Sequence, residues 1–226
     1  PFSSQLNFVG MGIPYWYYIS GNGVVKEQVP SKERMQVQLN DYLRKNINKC
    51  NFYGFEQQGF VINLGDVKEA ESVIGDNSIS VNVKQDIEIS YGNETWDGKT
   101  HKKDVKSNLG KFYNLALKIY DHEKQSLFLE NYGIDILRAY APVDGTEVSC
   151  SPKIWSVDEV RETLMNSLEA NTGAIKVNGN YYKLAKEENK YFVQDIGEKV
   201  NANVNFLYSR AWPMKMEISP SDSGFL

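Results

Sequence analysis

Cysteine and histidine are scarce, with two of each in 226 residues. A transition-metal site draws three or four ligands largely from these types, so the chain holds little material for one. An excess of positive charge is also missing. Twenty-five basic residues face 29 acidic ones for a net charge of −4, which is not the electrostatic footprint of a general nucleic-acid binder. No hydrophobic run approaches the roughly 18 residues of a membrane helix. The nearest, from Phe8 to Ile19, is interrupted by Gly10, Gly12 and Pro14. No basic stretch leads into an apolar one as in a signal peptide. A Gly-x-Ser-x-Gly elbow, a phosphate-binding P-loop, a Gly-x-Gly-x-x-Gly turn and a His-Glu-x-x-His pair are all lacking, which removes motif support for several large enzyme classes.

What is present is an ordinary globular balance, 41% hydrophobic and 24% charged. A chain of this length buries roughly 70% of its unfolded surface, enough for a core without dense cross-links. Tyrosine occurs 14 times, asparagine is frequent and alanine is sparse. That composition favours strands and polar, hydrogen-bonding surfaces of the kind found on secreted and cell-surface proteins. The first residue is Pro1. The expectation is a fragment or a processed chain, with any membrane anchor lying outside these residues.

Residues 1–30 read as an extended arm. Gly10, Gly12 and Pro14 oppose a helix, Ser20-Gly-Asn-Gly23 is a turn, and Pro14-Tyr-Trp-Tyr-Tyr-Ile19 is a strand-like aromatic run. Ser31 is a good N-cap for a helix whose apolar face carries Met35, Leu39, Tyr42, Leu43, Ile47 and Cys50. Residues 58–107 alternate with period two. Turn signals at Gly75-Asp76-Asn77 and Gly92-Asn93 divide them into half-buried antiparallel strands, and the lysine-rich Lys99–Lys106 is an edge strand or a loop. Residues 108–141 return to helical spacing. Leu109, Phe112, Leu115, Ala116 and Ile119 come first, then Leu129, Tyr132, Ile136 and Tyr140, with Gly133 as a weak point. Ser156 and Glu159 form a capping box ahead of the stripe Val160, Leu164 and Leu168. Asn178-Gly179 predicts a hairpin between Ile175–Val177 and Tyr181–Leu184. Tyr191–Val193 and Val204–Tyr208 read as further strands. Segregated runs of strands and helices predict an α+β fold, antiparallel sheets with helices packed on one face. The expected organisation is the arm at 1–30, one domain over 31–218 with a possible sub-division near 142–156, and a loose tail at 219–226.

Few residues invite chemistry. Cys50 and Cys150 are expected to form a disulfide, closing a loop of about 100 residues worth roughly 4–5 kcal/mol in the chain-entropy model. Two buried free thiols in a cytosolic protein are the alternative. An apolar helical face disfavours a thiolate, so Cys50 makes a poor nucleophile. His101 lies among lysines and His122 in Asp121-His122-Glu123, so neither is read as a metal ligand, and no cofactor is implied. The 29 carboxylates must include close pairs. A two-carboxylate hydrolase therefore stays open as an alternative, with no residues assigned. Tyr15, Trp16, Tyr17 and Tyr18 are candidate binding or interface residues, since flat rings stack on sugars and anchor interfaces. The competing reading packs one alternate pair on the core and leaves the other half exposed. Trp96, Trp155 and Trp212 read as core or loop anchors. Asn93-Glu94-Thr95 is a candidate glycosylation sequon in a turn.

Five segments together resemble a group of uncharacterised membrane-anchored archaeal surface proteins from small-genome lineages. They are Pro14–Tyr18, the helix ending at Cys50 with Gly59 beyond it, Ser149–Trp155, Asn189–Asp195 and Phe206–Pro213. The resemblance implies an ectodomain fragment with a membrane helix before the equivalent of Pro1 and further sequence after Leu226. It implies no activity. The expected function is a non-enzymatic extracellular or cell-surface domain for binding or assembly, with a protein or glycan partner. Self-assembly would run through the N-terminal arm, whose apolar residues need burial and are expected to add to a sheet edge within or between chains. The alternatives are a secreted carboxylate-dependent hydrolase and a cytosolic domain with free thiols.

Overall fold

The computed structural model describes residues 5–8, 10–140, 156–177, 193–197 and 202–210. It divides into two compact units, Pro1–Leu117 and Lys118–Leu226, with the boundary inside one helix. The possible sub-division near 142–156 expected from the sequence falls where all but residue 156 lie outside the described residues. The architecture is α+β.

In the first unit, β1 (Gln5–Phe8) pairs antiparallel with β2 (Met11–Pro14), and β3 (Tyr17–Ile19) with β4 (Val25–Glu27). The arm thus folds into two small hairpins and its strands join no other described sheet. Among the described residues the arm therefore does not add to a sheet edge within the chain, the intrachain form of the expectation. The physical reason is local: Gly10 (φ 83°) and Gly23 (φ 76°) turn the chain back on itself. Closing such short loops loses less entropy than pairing with a distant strand.

Helix α1 (Lys32–Asn46) starts as expected. The Ser31 side chain accepts a hydrogen bond from the Arg34 amide at 3.2 Å. A short 3-10 turn (Ile47–Lys49) and the single turn α2 (Tyr53–Glu56) follow. Three long strands then form a meander in the order β5 (Phe60–Ile74), β6 (Ser78–Tyr91), β7 (Glu94–Lys106). The lysine-rich segment is therefore an edge strand, where charge discourages pairing with other chains. The 92–93 turn follows from Gly92 at φ 60°, the first of two loop residues between the pair Tyr91 and Glu94.

The two faces of this sheet differ. One carries Ile62, Leu64, Ala70, Ser72 and Ile74 opposite Ile89, Ile87, Val83, Val81 and Ile79. The other carries Glu71, Asn82 and Lys102 in one row and Asn63, Glu88 and Asp97 in another. Helix α1 lies against β5 through polar contacts as well as apolar ones. Ser72 Oγ donates to Asn40 Oδ1 at 2.7 Å, and the Ile74 amide donates to Gln36 Oε1 at 3.0 Å. Gln85 is 2% exposed, and its Nε2 donates to Gly65 O at 2.7 Å and Asn48 Oδ1 at 2.6 Å. These bonds sit where the strands slip register, between Leu64 and Glu69 on β5 and between Lys84 and Ile87 on β6. A bulge breaks ladder bonds, and the buried amide of Gln85 fills the gap.

The boundary between units falls in α3 (Leu109–Ser126). Within the first unit, Gly110 is buried against the Gly75 carbonyl, Asn114 Nδ2 donates to Asp76 Oδ1 at 2.9 Å, and the Tyr113 hydroxyl donates to Pro30 O at 2.8 Å.

The second unit contains α4 (Phe128–Tyr140) and α5 (Val157–Asn171). Ser156 Oγ accepts from the Glu159 amide at 3.4 Å, half of the expected capping box. Phe128, Tyr132, Ile136, Leu164 and Ile175 form its core, with Ile119, Leu168 and Phe206 packed around them. Strand β8 (Lys176–Val177) pairs in parallel with β9 (Val193–Gln194). The expected hairpin to Tyr181–Leu184 lies outside the described residues. Val204–Tyr208 is not a strand; instead Phe206 sets its ring edge-on to Phe128 at 5.8 Å. Arg210 then bonds Glu169 at 2.7 Å, so side chains rather than a ladder hold this segment on α5.

Candidate functional site

The four aromatics of the arm do not form one platform. Tyr15 is 9% exposed, Trp16 and Tyr18 are half-buried and Tyr17 is 46% exposed. The chain bends at Trp16 and the strand begins only at Tyr17, so Tyr15 and Tyr18 come together with ring centroids 6.0 Å apart. Trp16 meets Tyr113 at 6.3 Å, and the Lys26 ammonium lies 5.7 Å from the Tyr18 ring. Period-two alternation predicted a different pairing because it assumed a straight strand.

A second aromatic group, which the sequence reading did not single out, sits at the hairpin end of the long sheet. Phe60 and Tyr91 are the first pair of the β5–β6 ladder, and their rings stack with centroids 4.7 Å apart. Phe55 of α2 meets Phe60 edge-on at 6.3 Å. Trp96 pairs with Ile89 on the same face. Phe55 (56%), Tyr91 (50%) and Trp96 (48%) all remain substantially exposed. This corrects the reading of Trp96 as a core or loop anchor, since it lies exposed on strand β7. Glu94, directly opposite Tyr91 in the ladder, is exposed. The readable signal was the spacing of Phe60, Tyr91 and Trp96 around the Gly92 turn. Alternation reports a shared face but not whether anything covers it.

Asn93, the sequon residue, is exposed in the turn beside this group. Thr95 is exposed too, its hydroxyl 3.1 Å from that of Ser90.

Cys50 is exposed and carries a free thiol, just past the 3-10 turn rather than on an apolar face. The expected bridge is thus not made at Cys50, and Cys150 lies outside the described residues. Helix α1 ends at Asn46, and Cys50 follows the short 3-10 turn. His101 places Nε2 2.9 Å from the Gln85 carbonyl oxygen, beside Gly98. His122 stacks near Phe128, with centroids 5.5 Å apart, rather than sitting in a solvated charged patch. Among the described residues no cluster of three or more histidine, cysteine or acidic side chains is placed to hold a metal.

The most perturbed carboxyl lies in the second unit. Burial pushes Glu123 from an ordinary 4.5 up to about 8, with a further push from the hydrogen-bonded Glu130 carboxyl. The Leu129 amide donates to Glu123 Oε2 at 3.0 Å and pulls the other way. Glu123 therefore caps the first turn of α4, next to Leu127 at φ 51°. On the exposed face of the sheet, Lys68 holds Asp86 below the usual carboxylate range through a 2.5 Å hydrogen bond. Lys84 does the same for Glu69 at 2.5 Å.

No helix of the described residues is long and apolar enough to cross a membrane. Comparison with known proteins finds no matching family model, no matching curated protein and no matching solved structure.

Proposed function

We propose that this chain is a non-enzymatic extracellular or cell-surface domain, and that it binds a glycan through the aromatic end of its long sheet. The observation that carries the reading is the Phe60–Tyr91 stack with Phe55 and Trp96 beside it, half exposed on one face. Exposed aromatic surface held rigid by its own packing marks an interaction site, because the ordering entropy is already spent in the free protein. Flat rings with the exposed acid Glu94 opposite Tyr91 in the ladder suit a sugar, which offers C–H groups to a ring and hydroxyls to an acid. A protein partner would use the same rings as anchors. The surface setting also agrees with the tyrosine-rich composition, the exposed sequon and the resemblance to archaeal surface proteins. Self-assembly through the arm is the lesser part of this proposal, since its strands are already paired in two hairpins.

Calorimetric titration of unglycosylated protein with a panel of soluble cell-surface polysaccharides tests the reading. Saturable binding that weakens about tenfold or more in Trp96→Ala supports it. Binding unaffected by Trp96→Ala and Tyr91→Ala argues against the face, and binding only to a protein partner argues for the second kind of ligand.

A secreted hydrolase using Glu123 and Glu130 is favoured by one observation, the raised Glu123 acid. The bond from the Leu129 amide commits that carboxyl to capping a helix, which is a structural task.

A further inference from the structure

We propose that Asn93 is an N-glycan acceptor whose first sugar rests on the ring of Tyr91. This rests on the extracellular part of the reading above. Asn93-Glu94-Thr95 is the one Asn-x-Ser/Thr sequence in the 226 residues. The structure sets it at a hairpin tip. Tyr91 and Glu94 close the ladder, so Asn93 is a loop residue outside the strand pairing, and it is exposed. Gly92 at φ 60° makes the turn tight. Tyr91 and Asn93 are two residues apart, so their α-carbons lie within about 7 Å of each other.

The Tyr91 ring is already fixed, because one face stacks on Phe60 at 4.7 Å. Half of Tyr91 remains open to solvent. A sugar linked to Asn93 meets a ring that loses no further rotamer freedom on contact. The sugar's C–H groups approach the electron-rich ring, while its hydroxyls keep their water. Trp96 lies at the next pair of the same face, opposite Ile89, and stays available to a partner. In the transfer step the Asn93 amide nitrogen bonds to the anomeric carbon of a lipid-linked oligosaccharide. The nitrogen gives up one proton, and the lipid phosphate leaves with the electron pair of the broken carbon–oxygen bond.

The experiment is secretion of the full chain from eukaryotic cells, which supply a lipid-linked donor headed by N-acetylglucosamine. Intact mass and glycopeptide mapping read occupancy, and thermal melts of the glycosylated and enzymatically deglycosylated protein read the contact. The expected result is a glycan at Asn93, none in Asn93→Gln, and a melting temperature that falls on deglycosylation. In Tyr91→Phe, which keeps the ring, that fall persists. In Tyr91→Ala it shrinks by at least half. A bare Asn93 in folded, secreted protein overturns the proposal, as does a glycan whose effect on melting is the same in Tyr91→Ala. Neither readout involves a partner, so this inference and the binding reading can fail separately.

Discussion

Tyr91 stacks on Phe60 across the first rung of the β5–β6 ladder, with ring planes 30° apart. The contact ties the turn at Gly92 to the start of β5, the two ends of a hairpin more than twelve residues long on each side. A double-mutant cycle through Phe60→Ala and Tyr91→Ala is expected to show a coupling of about 0.5–1.5 kcal/mol. Chemical denaturation of the four proteins measures it. Additive losses would mean that the rings are neighbours without being partners.

Two glycines in helices are expected to respond oppositely to alanine. A methyl group at Gly110 would sit 2.8 Å from the Gly75 carbonyl carbon, where neither backbone can yield cheaply. Gly110→Ala is expected to lose about 1–3 kcal/mol of stability. At Gly133, inside α4, a methyl group would touch nothing within 4 Å. Gly133→Ala is expected to gain about 0.5–1 kcal/mol through the unfolded chain's reduced freedom. Equilibrium unfolding of both variants checks the pair, and the same sign in both would contradict the packing described.

Gln85 holds two oxygens with one amide nitrogen, Asn48 Oδ1 and Gly65 O. Gln85→Glu keeps the shape but faces those oxygens with a third acceptor. It is expected to lose about 3 kcal/mol at neutral pH and to recover part of that in acid, where the new carboxyl holds a proton and can donate. Gln85→Leu leaves both oxygens unpaired and is expected to lose about 1–3 kcal/mol at every pH. Urea melts at two pH values separate the variants. Equal, pH-independent losses would place the fault in packing alone.

Glu123 is expected to give the protein a pH-dependent stability in the mild alkaline direction. Its folded value of about 8 stands above the ordinary 4.5, so the unfolded chain releases this proton first. The stabilisation is complete below pH 4.5, declines as pH rises, and is gone above about 8. Glu123→Gln still accepts from the Leu129 amide but cannot ionise. Its melting temperature is expected to match the parent's near pH 4 and exceed it at pH 9. A parent and variant that differ equally at both would show that the carboxyl ionises normally.

Much of the architecture was legible because local signals agreed with it. Ser31 and Ser156 mark helix starts whose side chains accept the predicted amide bonds. The glycine turns at 75 and 92 bound strands whose alternation was already visible in Ile79–Val83 and Ile87–Tyr91. Longer-range features were not legible. The register slips around Gly65 and Gln85 depend on a buried amide finding an acceptor at Asn48, in the 3-10 turn beyond α1, which no local pattern encodes. The hairpins of the arm competed with the edge of a sheet, and the short loop won. The candidate site was only half visible. Tyr15–Tyr18 drew the eye as a consecutive run, whereas Phe55, Phe60, Tyr91 and Trp96 are dispersed over 42 positions and meet only in three dimensions.

The most direct test of the binding face is photo-crosslinking with the reactive group at chosen positions of the sheet. One protein carries benzoylphenylalanine in place of Trp96 on the aromatic face. A second carries it in place of Lys102, which pairs with Asn82 on the opposite, polar face. Each is applied to intact cells of the protein's own source and irradiated, and the adducts are analysed by mass for glycan or protein. The account predicts a discrete glycan adduct from position 96 and little or none from position 102. Adducts of equal yield from both positions, or from 102 alone, would contradict it.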